Sequence, residues 1–471
     1  MKARRILPVI AVAVMGVISG ARAGAPAPEG IWQGRIQGML RLVLHVERAP
    51  GGGLTGKLDS PDQGAMGIAI DSLWVVGDSL HVEMRRLRAT YDAQMSADDS
   101  TLSGLWRQGG YSLPLALKRS DQAPADRRPQ DPVRPYPYDT LEVEYPNANA
   151  GIKLAGTLTI PRGAGPYPCA LLITGSGPEN RNEELFNHRP FWVLADHLTR
   201  QGIAVLRVDD RGVGGSTGHV TGATSEDFAS DVVAGIEFLK TRKEIEHKQI
   251  GLIGHSEGGL IAPMVAMRSK DVAFIVLMAG PGVRGDSILI MQTAAMRRLF
   301  GTSEETIAGE AAAMRRVHAM VIQGDSVGVL RTTRELVAIQ IEAMTAEQRR
   351  GLDPDSLARQ ATRQFSLPWL RFFLAYDPGP TLMRLRCPVL ALGGSKDFQV
   401  PAKENLAGIS AALKAGGNRD ATVKELPGLN HMFQIATTGA MSEYAAIEET
   451  LAPAALDEMS RWIVAHTIAK R

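Results

Sequence analysis

The chain has 471 residues, of which 44% are hydrophobic and 22% charged, with a formal net charge of +2. This length exceeds one ordinary hydrophobic core and implies two or three packed units. The near-neutral balance, with no Lys/Arg run interleaved with aromatics, argues against a nucleic-acid partner. The two cysteines, Cys169 and Cys387, give no zinc-ligand spacing, so no metal is expected.

Met1-Lys2-Ala3-Arg4-Arg5 precedes an apolar stretch from Ile6 to Ser19 and then Ala21-Arg22-Ala23. That is the layout of a signal peptide (residues 1–23) cleaved near Ala23. Its apolar stretch is roughly 14 residues, short of the roughly 20 that a transmembrane helix needs. No later segment is long and apolar enough either, so the expectation is a periplasmic or extracellular protein without stable membrane insertion. In such a compartment the two cysteines could pair, but each opens an apolar run that reads as a separate buried strand, and free thiols are expected.

Residues 30–119 alternate in the manner of half-buried strands, best seen at Leu40-Arg41-Leu42-Val43-Leu44-His45-Val46-Glu47, with turn signals at Gly51-Gly52-Gly53 and Ser60-Pro61-Asp62. A small all-β domain over residues 24–120 follows. Gly30-Ile31-Trp32 resembles the first strand of lipocalins, but a lone Gly-x-Trp is unspecific and Trp32 reads as a core residue. Five prolines between Asp121 and Tyr138 favour an extended linker over packed structure.

Over residues 139–471 the pattern becomes short apolar runs spaced by helical stretches, the mark of a mostly parallel sheet with helices on both faces. Candidate strands lie at Cys169–Ile173, Ile203–Val208, Ile250–Ile253, Ala273–Leu277 and Val389–Leu392. The runs from Leu141 and Ile152 suggest an antiparallel hairpin, and Ala421-Thr422-Val423 the last strand. About residues 283–381 a Met-, Ala- and Arg-rich helical stretch interrupts the rhythm, as a cap inserted over a site would. Its methionines read as packing. Trp369, Phe372, Phe373 and Tyr376 read as packing against the main domain, with a pocket lining as the alternative.

Between the strand at Ile250 and a helical stretch from Leu260 stands Gly254-His255-Ser256-Glu257-Gly258-Gly259. Gly-x-Ser-x-Gly between strand and helix is a nucleophile elbow: Gly254 and Gly258 permit a turn too tight for side chains, and Ser256 projects its hydroxyl. A serine hydroxyl needs a base, and the base a carboxylate to orient it. In the order Ser, acid, His, Asp397 after the strand at Val389 supplies the acid, with Asp377 as its rival. His431, after the last strand, supplies the base. His255 reads as packing and His466 as surface. The oxyanion needs two donors: the backbone N–H of Glu257, and that of Ser176, or next Gly177, in Thr174-Gly175-Ser176-Gly177-Pro178. Asp209 to Ser216 lacks the G-x-G-x-x-G spacing of a nucleotide loop, and Arg211 reads as a salt-bridge pin between loops.

With these residues placed, about residues 140–471 resemble the EstD-like group of bacterial α/β-hydrolase esterases, within the broader serine-aminopeptidase-like hydrolases. The resemblance is carried by Gly175-Ser176-Gly177-Pro178 with Arg181, Asp210-Arg211-Gly212, Gly254 to Gly259, Asp397, and Asn430-His431-Met432-Phe433-Gln434. It implies the α/β-hydrolase fold and hydrolysis of short-acyl, small-molecule esters by Ser256, Asp397 and His431 without metal or cofactor. It also implies that a β domain can precede the catalytic one. Thr174 departs from the pattern, because many relatives of the wider fold carry His there. A serine peptidase or amidase, an acyltransferase, and a protein whose β domain holds a polymer or other partner while hydrolysis is secondary are the alternatives.

Overall fold

The computed structural model describes residues 27–36, 40–63, 65–109, 111–121, 128–344, 349 and 352–468. The expected signal peptide lies outside the described residues. The alternating stretch folds as nine strands: β1 (Gly30–Ile36), β2 (Leu40–Arg48), β3 (Leu54–Ser60), β4 (Ala65–Ala69), β5 (Ser72–Val76), β6 (Ser79–Met84), β7 (Ala89–Met95), β8 (Thr101–Gln108) and β9 (Tyr111–Ser120). They form one antiparallel sheet in the order β4-β3-β2-β1-β9-β8-β7-β6-β5. Period-two alternation puts Trp32, Leu44, Leu80, Tyr91, Leu102 and Leu117 into a shared core. Trp32 is fully buried, donates its indole N–H to Pro28 O at 2.7 Å, and carries the Arg119 guanidinium 4.3 Å above its ring. It is a core residue, as its sequence context suggested. In β2 the alternation is incomplete: Val43 is also buried, and Arg41 is buried because it pairs with Asp62 at 3.1 Å.

The second sheet has β10 (Tyr138–Asn147), β11 (Ile152–Pro161), β12 (Tyr167–Ile173), β13 (Ala204–Val208), β14 (Ile245–His255), β15 (Val272–Met278), β16 (Val389–Gly394) and β17 (Ala421–Leu426). Their order is β10-β11-β13-β12-β14-β15-β16-β17. The sheet is mixed: β10, β11 and β13 are joined antiparallel, and every pairing from β13 to β17 is parallel. The helices are α1 (Pro190–Arg200), α2 (Ser225–Leu239), α3 (Glu257–Ala266), α4 (Gly285–Leu299), α5 (Glu304–Gln323), α6 (Ser326–Glu342), α7 (Pro354–Phe365), α8 (Pro368–Ala375), α9 (Gly379–Leu382), α10 (Ala402–Ala415), α11 (Met441–Tyr444) and α12 (Pro453–His466).

Both faces of this sheet are covered, which is why its strands read as continuous apolar runs. Cys169, Leu171 and Ile173 of β12 join a core with α2, α3 and α10, while Ala170 and Leu172 join one with α1 and α12. Cys169 is buried, and both cysteines are free. Helices α4 to α9 fill the interval between β15 and β16. Met314, Val317, Val321 and Leu374 make a core of their own there, and Phe373 with the partly buried Trp369, Phe372 and Tyr376 joins the main one. Among the described residues no helix is long and apolar enough to cross a membrane.

The described part of the proline-rich stretch differs from the unpacked linker expected. Arg128 donates to Phe186 O and Ala445 O at 3.1 and 3.0 Å, and Gln130 exchanges hydrogen bonds with the backbone of Thr450 and Leu451. Proline fixes an extended backbone, and the Arg128 and Gln130 side chains beside the prolines satisfy carbonyls of neighbouring loops.

Candidate active site

Strand β14 ends at His255 and helix α3 begins at Glu257, leaving Ser256 alone between them at φ 52°, ψ −117°. Only glycine adopts that region freely, so strain is concentrated at this serine. A side chain on Gly254 would run into the Gly258 carbonyl, and one on Gly258 into that of Ile173. The elbow is therefore as tight as the sequence pattern required, and Ser256 N–H is tied to Met278 O at 2.8 Å.

Beyond β16, Asp397 accepts Gln399 N–H and Val400 N–H on Oδ1, both at 2.8 Å, and its Oδ2 lies 2.8 Å from His431 Nδ1. Both side chains are buried. Asp377 is exposed and accepts Gly379 N–H in a helix-starting turn. The His431 loop is held from within: Asn430 and Gln434 hydrogen-bond each other three times, and Gln434 also donates to Glu449 O. His255 Nε2 meets His431 O at 2.9 Å, pressing the loop against the elbow. His466 bonds Asp420 at the end of α12, away from these groups.

After β12, Thr174 donates to Asp210 Oδ1 at 2.8 Å and Gly175 N–H to Glu183 Oε1 at 3.0 Å. Gly175 N–H is thus engaged, which leaves those of Ser176 and Gly177 as donors from this loop. Glu257 N–H begins α3 and has no partner within the helix. The Glu257 carboxylate turns inward, accepting from Ser225 Oγ at 2.5 Å and from Trp369 Nε1 in α8 at 2.8 Å. Arg211 pairs with Asp231 at 2.7 Å, pinning the Asp209–Ser216 loop to α2. Among the described residues no cluster of His, Cys, Asp or Glu could hold a metal ion.

Carboxyls crowd this loop. Burial pushes Asp210 up to about 7, and burial with neighbouring Glu183 and Asp210 lifts Glu179 well above the carboxylate range. Burial also raises Glu257, against the hydrogen bonds from Ser225 and Trp369. For an acid raised on folding, the stability it contributes is present below the unfolded value and lost as pH rises through the folded one. For Asp210 that window runs from 3.8 to about 7, worth on the order of 4 kcal/mol at about 1.4 kcal/mol per unit. Asp210→Asn keeps an oxygen for Glu179 N–H and gives an N–H to the Thr174 hydroxyl. It is expected to raise the melting temperature at pH 8 by more than about 5 °C and to change it little at pH 4. Equal shifts at both pH values would show that Asp210 stays ionised in the fold.

The profile of the family described as serine aminopeptidase, S33, matches residues 191–435, more than half of the chain. The chain belongs to this serine aminopeptidase S33 family. With that membership its second sheet is an α/β-hydrolase fold, and the loops carrying Ser256, Asp397 and His431 follow the carboxyl ends of its strands. Over 312 residues the chain is 25% identical to Esterase EstD of Thermotoga maritima, covering 66% of this chain and 65% of that protein. It thus spans just under two thirds of that relative. Among solved structures, the α/β hydrolase GrgF of a Penicillium species is 14% identical, covering 70% of this chain and 99% of that one at a TM-score of 0.44. A Pyrococcus furiosus esterase is 16% identical, covering 74% and 99% at a TM-score of 0.42.

One buried residue of the site carried no signal in the sequence. Glu183 lies in an irregular Asn- and Glu-rich segment, and its partner His255 is 72 positions away. Only the fold brings the two together.

Proposed function

We propose that this member of the S33 family is an exported carboxylesterase that cleaves short-acyl esters through an acyl-enzyme on Ser256. The observation that carries this is the buried Asp397–His431 pair, 2.8 Å apart, with His431 O bonded to the residue beside a strained Ser256. The similarity to an esterase supports the leaving group as an alcohol. His431 takes the Ser256 proton as the hydroxyl attacks the ester carbonyl, and the oxyanion rests on the N–H groups of Glu257 and Ser176. His431 then returns the proton to the departing alcohol. Water, deprotonated by the same imidazole, attacks the acyl-enzyme, and the acid leaves with Ser256 regenerated.

In this reading strands β1 to β9 form a β unit of their own, and α4 to α9 cap the site, with Trp369 anchoring the cap to Glu257. The β unit is not an independent appendage, because Asp62 O accepts Phe186 N–H at 3.0 Å and Phe186 packs with Met432 beside the base. A polymer captured by this unit would therefore be held next to the site.

The test is turnover of p-nitrophenyl esters from acetate to laurate beside a panel of aminoacyl and peptidyl p-nitroanilides. The expected result is highest kcat/KM on acetate or butyrate. Anilide turnover exceeding that of every ester would establish the peptidase reading, which the family's description favours. Product diverted to a glycerol ester on adding glycerol would establish acyl transfer.

A further inference from the structure

We propose that His255 and Glu183 form a second, charged His–carboxylate pair, which positions the oxyanion loop. The proposal rests on the serine-hydrolase reading for its kinetic consequences but not for its charge state. His255 Nε2 lies 2.9 Å from His431 O, and a carbonyl only accepts, so Nε2 bears a proton. His255 Nδ1 lies 2.8 Å from Glu183 Oε1. That oxygen also receives Gly175 N–H at 3.0 Å, and as a carboxylate it has no proton to give, so Nδ1 bears one too. A ring with both nitrogens protonated is an imidazolium.

The surroundings agree with this assignment. The two side chains are 7% and 3% exposed, so the ion pair is shielded from water. Burial works against the charged ring, but the Glu183 carboxylate outweighs it, and His255 is held above the usual imidazole range. The groups facing the pair are Asp397 and His431 from the acid and base loops, the edge of the Phe433 ring, and Glu179, Asp210 and Glu257 around Glu183. Burial favours the neutral form of those last three. Glu183 also has φ 52°, and Phe186 and Asn187 close behind it share the left-handed region. Strain is tolerated here to place one carboxylate.

One consequence follows for the reaction. Glu183 fixes Gly175, and through it the orientation of the Ser176 N–H. The His255 end of the pair faces the base loop, with the His255 and His431 rings 4.8 Å apart.

The test begins with nitrogen NMR of the imidazoles in the full-length protein, His255 being assigned by the signals lost in His255→Gln. At pH 7.5 the expected result is an imidazolium, with both Nδ1 and Nε2 protonated. An unprotonated Nδ1 at that pH would overturn the proposal, whether or not the protein turns over any ester. The positioning role is read in kinetics on p-nitrophenyl acetate. Glu183→Ala is expected to lower kcat by about 100-fold with KM changed less than about threefold, the size of losing one oxyanion donor. Glu183→Gln, which still accepts Gly175 N–H, is expected to recover part of that kcat while its His255 becomes neutral. Equal kcat in the two Glu183 variants would remove the positioning role.

Discussion

Ser256→Ala is expected to lower kcat on short-acyl esters by about 10⁶-fold, the loss seen when a triad serine is removed from a well-studied protease. The hydroxyl is the only atom lost, so the effect falls on chemistry rather than on the fold. His431, Asp397 and the oxyanion donors remain in place, and the residual rate is what they give to water attacking directly. Ser256→Gly separates the two contributions of this residue. At φ 52°, ψ −117° a non-glycine residue costs on the order of 1–3 kcal/mol, and glycine relieves it. The glycine variant is therefore expected to melt several degrees higher while remaining as inactive as the alanine one. Activity within tenfold of the parent in either variant would remove Ser256 from the reaction.

That position was legible because a physical necessity made the pattern. A serine exposed on a strand-to-helix turn needs small residues where Gly254 and Gly258 face the Gly258 and Ile173 carbonyls, and the flanking apolar runs locate strand and helix. The parallel strands were legible for a similar reason, since burial on both faces leaves runs such as Cys169–Ile173 without polar interruptions. Asp397 and Asp377 differ in what each follows, strand β16 in one case and helix α8 in the other. Contacts between distant irregular segments left no such trace. Glu183 has no periodicity to mark it, and Arg128 and Gln130 sit among prolines whose density signals extension without saying what the side chains touch. Arg41 and Val43 show the limit of alternation itself: an ion pair with Asp62 and a covered second face bury residues that the pattern leaves outside. Between β15 and β16, helical composition gave helices, but nothing in a single chain told that Trp369 would reach back to Glu257.

Asp397→Asn is expected to lower kcat by about 10⁴-fold, the loss found for the corresponding change in a serine protease. The geometry explains why an isosteric change should be so severe. Oδ1 of Asp397 accepts two backbone N–H groups, from Gln399 and Val400. An asparagine must keep its carbonyl oxygen there, because its amide nitrogen cannot accept. Its N–H₂ is then forced to face His431 Nδ1, the contact that Oδ2 makes at 2.8 Å. A donor in that place stabilises the tautomer that carries its proton on Nε2, and an imidazole protonated on Nε2 cannot take the proton of Ser256. The fold should be little disturbed, so an unchanged circular dichroism spectrum and melting temperature within a few degrees should accompany the loss. Asp377→Asn is the matched control: its side chain is exposed and accepts only a turn N–H, so kcat should stay within about twofold. A loss of less than tenfold in Asp397→Asn, or a large one in Asp377→Asn, would place the acid elsewhere. The direction of the tautomer shift is itself measurable, since nitrogen NMR should show His431 protonated on Nδ1 in the parent and on Nε2 in the variant.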